Sequence, residues 1–133
     1  MNPLYPVIAE RAAHRCEYCR APEAIFNFPF EVEHIVPASH GGIGDPSNLA
    51  LACRACNLFK ADRLHAVDDL TSEAVGVFDP RQQQWKEHFE VESESGRILG
   101  TTPIGRATVM ALRMNSPLQV AARRQWMRLG LFP

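Results

Sequence analysis

The chain has 133 residues, enough for one domain with a modest hydrophobic core and a small extension. Its hydrophobic content of 46% and charged content of 22% are ordinary for a globular protein. No apolar run approaches the roughly 20 residues that span a bilayer, so we expect no membrane segment. The first ten residues lack the features of a secretory signal, and we expect a cytoplasmic protein.

The charges are unevenly distributed along the chain. The formal net charge is −1, which lacks the basic surplus of many nucleic-acid-binding proteins. Residues 68–94 carry eight acids, whereas residues 97–133 carry six arginines and no acid. The arginines could bind phosphate, or they could pair with the acidic middle and cap helices. The sequence does not favour one of these interpretations over the other.

The first half of the chain predicts helix, strand, loop, strand and helix in that order. A short helix is expected over 6–15, and alternating apolar residues predict a strand over 28–36. Residues 37–47 contain two adjacent glycines and an Asp-Pro pair, which indicate a loop. A second strand is expected over 48–52, and a helix over 57–64.

The second half contains three helix starts with the same chemistry. In each, an Asp, Thr or Ser that can cap a helix comes directly before a proline at the first helical position. These signals predict helices near 80–89, 103–114 and 117–129. Residues 90–100 are expected to form a hairpin.

Four cysteines form two identical C-x-x-C pairs, separated by 33 residues. In a chain without an export signal, this pattern favours a metal site over disulfides. Four thiolates can close a tetrahedron around zinc and leave no position for water, so we expect a structural zinc. The predicted zinc ligands are Cys16, Cys19, Cys53 and Cys56.

The region between and after the cysteine pairs contains an ordered set of polar residues. The segment Glu-Val-Glu-His-Ile-Val-Pro at 31–37 is followed by Gly41-Gly42, by Asn48 and by Asn57, which directly follows the second cysteine pair. This set, over residues 16–63, resembles the HNH nuclease family. The segments Gly105-Arg106-Ala107-Thr108 and Phe78-Asp79-Pro80-Arg81 are also similar to those of small stand-alone bacterial HNH proteins.

The resemblance implies an α+β fold. Residues 1–67 would form a ββα-metal (His-Me finger) core with the four-cysteine zinc knuckle. Residues 68–133 would form a mainly helical C-terminal extension packed on that core.

The resemblance also implies a role for each polar residue. His34 would be the general base that deprotonates water, and a neutral imidazole suits this role near neutral pH. Glu33 and Asn57 would bind a catalytic divalent ion, and Asn48 would orient the histidine loop by hydrogen bonding. Neighbouring residues of a regular strand face opposite sides, so bringing Glu33 and His34 to one site requires distortion near the strand end.

A glutamate and an asparagine provide only oxygen ligands, which favours Mg²⁺ or Mn²⁺ as the catalytic ion. The ion would bind a non-bridging oxygen and the leaving 3′ oxygen of the phosphate. The implied products are a 5′-phosphate and a 3′-hydroxyl. Glu33 replaces the aspartate or histidine of many relatives.

Three further residues are candidates for contacts with phosphate or metal. Lys60 and Arg63 follow Asn57 on the predicted helix and could bind the phosphate backbone of DNA, or they could be ordinary solvated charges. His40 precedes the glycine pair and could contact phosphate or metal, although a loop histidine is more often simply solvated.

The sequence therefore predicts a metal-dependent DNA endonuclease. Two alternatives remain open, a zinc-ribbon module that binds nucleic acid without cutting it and a protein-interaction domain. The sequence does not decide the DNA specificity, whether one or two strands are cut, or whether cutting needs a homodimer.

Overall fold

The structure is a computed structural model that describes residues 1–133. It contains five helices and three separate two-stranded antiparallel sheets. None of the helices has both the length and the apolar character required to cross a bilayer. The helices are α1 (Tyr5–Arg11), α2 (Arg54–Lys60), α3 (Trp85–His88), α4 (Pro103–Ala111) and α5 (Pro117–Arg128). The strands are β1 (Glu31–His34), β2 (Leu49–Ala52), β3 (His65–Val67), β4 (Ala74–Gly76), β5 (Phe89–Val91) and β6 (Ile98–Gly100).

The strands β1 and β2 form the hairpin around which the first half of the chain is organised. They pair in regular register, from Glu31 opposite Ala52 to His34 opposite Leu49. All four residues of β2 are buried, because α1 packs on this strand and α2 packs on both strands. The predicted order of strand, loop, strand and helix is therefore present, although each element is shorter than the sequence patterns indicate.

The second half is less helical than expected. The hairpin of β5 and β6 agrees with the prediction, but the hairpin of β3 and β4 was not predicted. The helix expected over 80–89 is reduced to the single turn α3. The reason is local: Asp79 accepts the backbone N–H of Arg81 through its side chain, and the Gln83 side chain accepts the N–H of Asp79. These bonds close a turn before α3 begins.

The segment Gly105–Thr108 joins α4 to three other parts of the chain. The Arg106 guanidinium forms two hydrogen bonds with the buried Asp68 carboxylate, at 2.9 and 3.0 Å, and this holds the pKa of Asp68 well below its usual range. The Thr108 hydroxyl accepts the N–H of Phe78 at 2.9 Å. Gly105 lies directly against the backbone of His88. These contacts therefore fix α4 against the segments that contain Asp68, Phe78 and His88.

Three of the six arginines in residues 97–133 have partners inside the protein. Arg106 pairs with an acid of the middle segment, and Arg113 lies over the Phe59 ring, 4.6 Å from its centroid. Arg123 is fully buried and donates to the carbonyls of Gly96 and Met114 at 2.8 Å each. Of these three arginines, only Arg106 pairs with the acidic middle as one of the two sequence-based interpretations states, whereas Arg113 contacts an aromatic ring and Arg123 contacts backbone carbonyls.

A single hydrophobic core extends through both halves of the chain. One cluster of 21 buried residues includes members from α1, β2 and both cysteine pairs, and also Phe78, Phe89, Ile98, Leu112 and Met114. The C-terminal segment thus packs on the first half and completes its core.

We expect Gly105→Ala to destabilise the fold, because an added Cβ would lie 1.9 Å from the His88 carbonyl oxygen. Overpacking of this kind costs about 1–3 kcal/mol. Gly76→Ala is the matched control, since its Cβ would meet nothing closer than 3.8 Å. Urea unfolding of both variants measures the difference, and equal midpoints would contradict the close packing of α4.

Candidate active site and zinc cluster

The four cysteine side chains converge on one buried point. Their sulfur atoms all lie within 4.8 Å of one another, and Cys19 Sγ is 3.7 Å from Cys53 Sγ. A tetrahedral zinc with Zn–S bonds of about 2.3 Å places its sulfurs about 3.8 Å apart. The cluster therefore fits a zinc ion, and its complete thiolate shell leaves no open ligand position.

Local structure directs these sulfurs inward. Cys16 accepts the N–H of Cys19, and Cys53, at the N-cap of α2, accepts the N–H of Cys56, each at 3.5 Å. The first pair is held against β2 by Glu17, which exchanges hydrogen bonds with Leu51 through its backbone N–H and its carboxylate. The cluster consequently joins the turn after α1 to the beginning of α2.

His34 is the last residue of β1 and remains partly exposed. Its ring forms no hydrogen bond with the protein. Gly44, in the loop between β1 and β2, lies over the ring, and a Cβ at that position would be 3.9 Å from His34 Nε2. The imidazole therefore remains accessible to solvent.

Asn48 braces the loop that follows His34. Its side-chain oxygen accepts the N–H of Val36 at 2.9 Å, and its amide donates to the carbonyls of Val36 and Ile43 at 3.0 and 2.8 Å. The same loop is tightly closed at Gly42, where an added Cβ would lie 1.6 Å from the Val36 carbonyl oxygen. These contacts are what an orienting asparagine would make.

Glu33 does not share the surroundings of His34. It is buried, accepts a hydrogen bond from the Tyr18 hydroxyl at 2.8 Å, and forms an ion pair of 2.5 Å with Lys60. Burial raises the pKa of Glu33, and the charge of Lys60 opposes that shift. Burial, together with the nearby Glu33, also raises the pKa of Tyr18.

Lys60 is therefore placed differently from the sequence-based expectation of a phosphate contact. Its side chain is about 2% exposed, because it turns inward to Glu33 and to the end of β1. Periodicity could not reveal this, since the position follows Asn57 by three residues on a surface helix. A lysine buried in this way is not available to DNA in this structure.

Asn57 instead contacts Glu31. The Asn57 amide donates to the Glu31 carboxylate, which also pairs with Arg54 at 3.0 Å. Both Glu31 and Asn57 line an open cleft of about 400 Å³ together with Tyr5 and Phe28. Rotation of an asparagine amide by half a turn exchanges its oxygen and nitrogen, so this pair could present two oxygen ligands to a hard cation.

The two other candidate residues lie on the surface. Arg63 is exposed and donates to the Phe59 carbonyl at 3.1 Å. His40 is exposed in a short 3₁₀ turn, and its side chain forms no hydrogen bond with the protein. Their predicted contacts with phosphate or metal stay predictions.

The structure thus separates the predicted catalytic residues into two groups. The regular pairing of β1 continues through His34, so the expected distortion at the strand end is absent. Glu31 and Glu33 share the side of β1 that faces α2, whereas His34 points to the other side. Sequence reasoning missed Glu31 and Tyr18. The signal for Glu31 was its spacing of two residues from Glu33, which places both on one face of a strand.

Comparison with known proteins gives one match. Residues 16–63 match the family model described as HNH endonuclease. Among curated proteins and solved structures, nothing matches the chain significantly. The matched segment includes both cysteine pairs, β1, the braced loop, β2 and α2. Over residues 16–63 the chain is therefore similar to the HNH endonuclease family.

Proposed function

We propose that the protein is a metal-dependent endonuclease that hydrolyses phosphodiester bonds in DNA. His34 acts as the general base, and the products carry a 5′-phosphate and a 3′-hydroxyl. The observation that carries this proposal is the unpaired, accessible imidazole at the end of β1, followed by a loop that Asn48 braces, inside the segment that matches the family.

His34 removes a proton from the attacking water. A neutral imidazole has a lone pair available at neutral pH, and general bases of this type contribute about 10²–10⁴-fold to rates. Because no protein group occupies either ring nitrogen, the base does not have to break an internal hydrogen bond first. Asn48 supports this step by fixing the backbone around Val36.

A divalent cation, Mg²⁺ or Mn²⁺, would be held by Asn57 and one glutamate. It would supply positive charge to the DNA backbone from the face of β1 opposite His34. Glu33 is the glutamate next to the base, but both of its oxygens already contact buried partners. Glu31 contacts Asn57 and faces the open cleft. We therefore assign the carboxylate ligand to Glu31, and Arg54 would have to release it when the ion binds.

A zinc ion bound by the four cysteines would be structural. All four sulfurs are buried, and a filled thiolate shell cannot bind water or substrate. The zinc would hold α2 against the turn after α1, and α2 carries Asn57. The arginine-rich end of the chain and the exposed Arg63 are candidates to contact the phosphate backbone.

We expect His34→Ala to reduce cleavage of supercoiled plasmid in Mg²⁺ or Mn²⁺ by about 10²–10⁴-fold. Omission of both Mg²⁺ and Mn²⁺ should abolish cleavage by the unmodified protein. His65→Ala is the matched control, because His65 is an exposed histidine of β3. Zinc content and circular dichroism should be unchanged in both variants. Equal cutting by His34→Ala and the unmodified protein would remove the catalytic assignment.

Glu31→Gln and Glu33→Gln distinguish the two candidate ligands, because they make the same change two residues apart on one strand. Glu31→Gln should weaken Mn²⁺ binding, measured by electron paramagnetic resonance, by at least about tenfold. Glu33→Gln should instead lower the free energy of unfolding by about 3 kcal/mol, because it leaves Lys60 buried without a countercharge. Lost Mn²⁺ binding in Glu33→Gln alone would return the ligand role to Glu33.

Cys53→Ser should release zinc and unfold the domain, because metal binding supplies folding free energy in small metal-stabilised domains. Zinc analysis and a thermal melt measure both effects. Strong chelation of the unmodified protein should have the same consequence. A variant that loses zinc but keeps its melting temperature would contradict the structural role.

A further inference from the structure

Lys60 is the last residue of α2 and contacts the end of β1. Its Nζ lies 2.9 Å from the Ile35 carbonyl oxygen, 3.3 Å from the His34 carbonyl oxygen and 2.5 Å from Glu33 Oε1. The Glu33 contact is an ion pair without the alignment of a good hydrogen bond. The side chain is almost completely buried.

These contacts surround the ammonium group with two hydrogen-bonded carbonyls and one carboxylate. A lysine ammonium has three N–H donors, and the structure gives it three oxygen partners. A buried charge is costly unless it is paired and hydrogen-bonded, so the place of the ammonium is closely determined. Because the side chain is about 2% exposed, a phosphate cannot reach the ammonium group.

The opposite end of α2 is held by the cysteine cluster. Cys53 is the N-cap of this helix and Cys56 lies in its first turn, whereas Lys60 is seven residues beyond Cys53 in the chain. The helix therefore connects the zinc cluster at one end with the backbone of His34 at the other. A change in the position of α2 would be transmitted to the residue that carries the imidazole.

We infer that Lys60 is a positioning residue for His34. Its ammonium group donates hydrogen bonds to the carbonyl oxygens of His34 and Ile35. These bonds fix the end of β1, from which the imidazole projects. The inference rests on the proposed function, in which His34 is the general base. It replaces the phosphate contact that the position of Lys60 after Asn57 suggested.

Two other roles for Lys60 make different predictions. A phosphate contact would change the affinity for DNA and lower the salt dependence of binding by about one unit per lost charge. A purely structural ion pair would change stability but not the cleavage rate of the folded protein. A positioning role changes the cleavage step itself, because displacement of a catalytic group by about 1 Å can cost about 10²-fold.

The chain offers a matched control, because Lys60 and the exposed Lys86 are its only lysines. Lys60→Met, Lys60→Arg and Lys86→Met are compared in single-turnover cleavage, with DNA affinity measured separately in buffer without added Mg²⁺ or Mn²⁺. We expect Lys60→Met to cut about 10²-fold more slowly, with unchanged DNA affinity and salt dependence. Its remaining rate should depend less on pH near the histidine pKa than that of the unmodified protein.

The other variants show whether a slower cleavage rate is specific to the loss of the Lys60 ammonium group. Lys60→Arg retains charge and donors and should recover part of the rate, and Lys86→Met should behave as the unmodified protein. If Lys60→Met does not retain zinc, Lys60→Gln is judged by the same criteria, because its amide can still donate to a carbonyl. A folded, zinc-bound variant with the normal rate would overturn the inference. Weaker DNA binding with a normal rate would overturn it in favour of a phosphate contact.

Failure of the proposed function gives a different result. If the unmodified protein does not cut DNA under any metal condition, the nuclease proposal fails, and the positioning role is tested on the histidine itself. The NMR signals of the His34 ring should then shift or broaden in Lys60→Met but not in Lys86→Met. An unchanged His34 signal would overturn the inference independently of activity.

Discussion

The cysteine cluster is the constraint on which the site depends. Four buried cysteines within 4.8 Å of one another would repel as thiolates, and a cation bound by them would remove that repulsion and fix four points of the backbone. The cluster fixes the first turn of α2 in place. Because the helix is rigid, the position of Lys60, seven residues after Cys53, is restrained as well. The β1 end is thus connected to the cluster through a single short helix.

Side chains alternate between the two faces of β1, so the candidate site residues of this strand lie on opposite sides. The face toward α2 carries Glu31 and Glu33, which contact Asn57 and Lys60 respectively. His34 projects to the other face, beneath Gly44. The two glutamates have the same chemistry but different surroundings, because Glu31 opens to a cleft and Glu33 is sealed under Tyr18. Glu31 is therefore a candidate metal ligand and Glu33 a structural anion because they differ in burial, although both are glutamates.

The C-terminal half contributes support more than chemistry. Its buried residues join the same core as β2 and the cysteine pairs, and Asp68, Gly105 and Thr108 dock α4 through specific contacts. Arg123 satisfies two backbone carbonyls inside the protein. Packing consequently accounts for Gly105, Arg106 and Thr108, since each of these three residues meets a particular neighbour.

The sequence pattern predicted the four zinc ligands and the order of β1, loop, β2 and α2, because both depend on local spacing, on proline and glycine, or on ligand chemistry that few other arrangements share. The bracing role of Asn48 was implied by the family resemblance. The β3–β4 hairpin, the shortened α3 and the partners of Glu33, Asn57 and Lys60 were not predictable in this way. Those features depend on which strand face meets α2 and how deeply it is buried, and contacts between distant segments decide both. A lysine three residues after an asparagine has the same local pattern whether it faces solvent or the core, and only packing against Glu33 and the end of β1 selected the core.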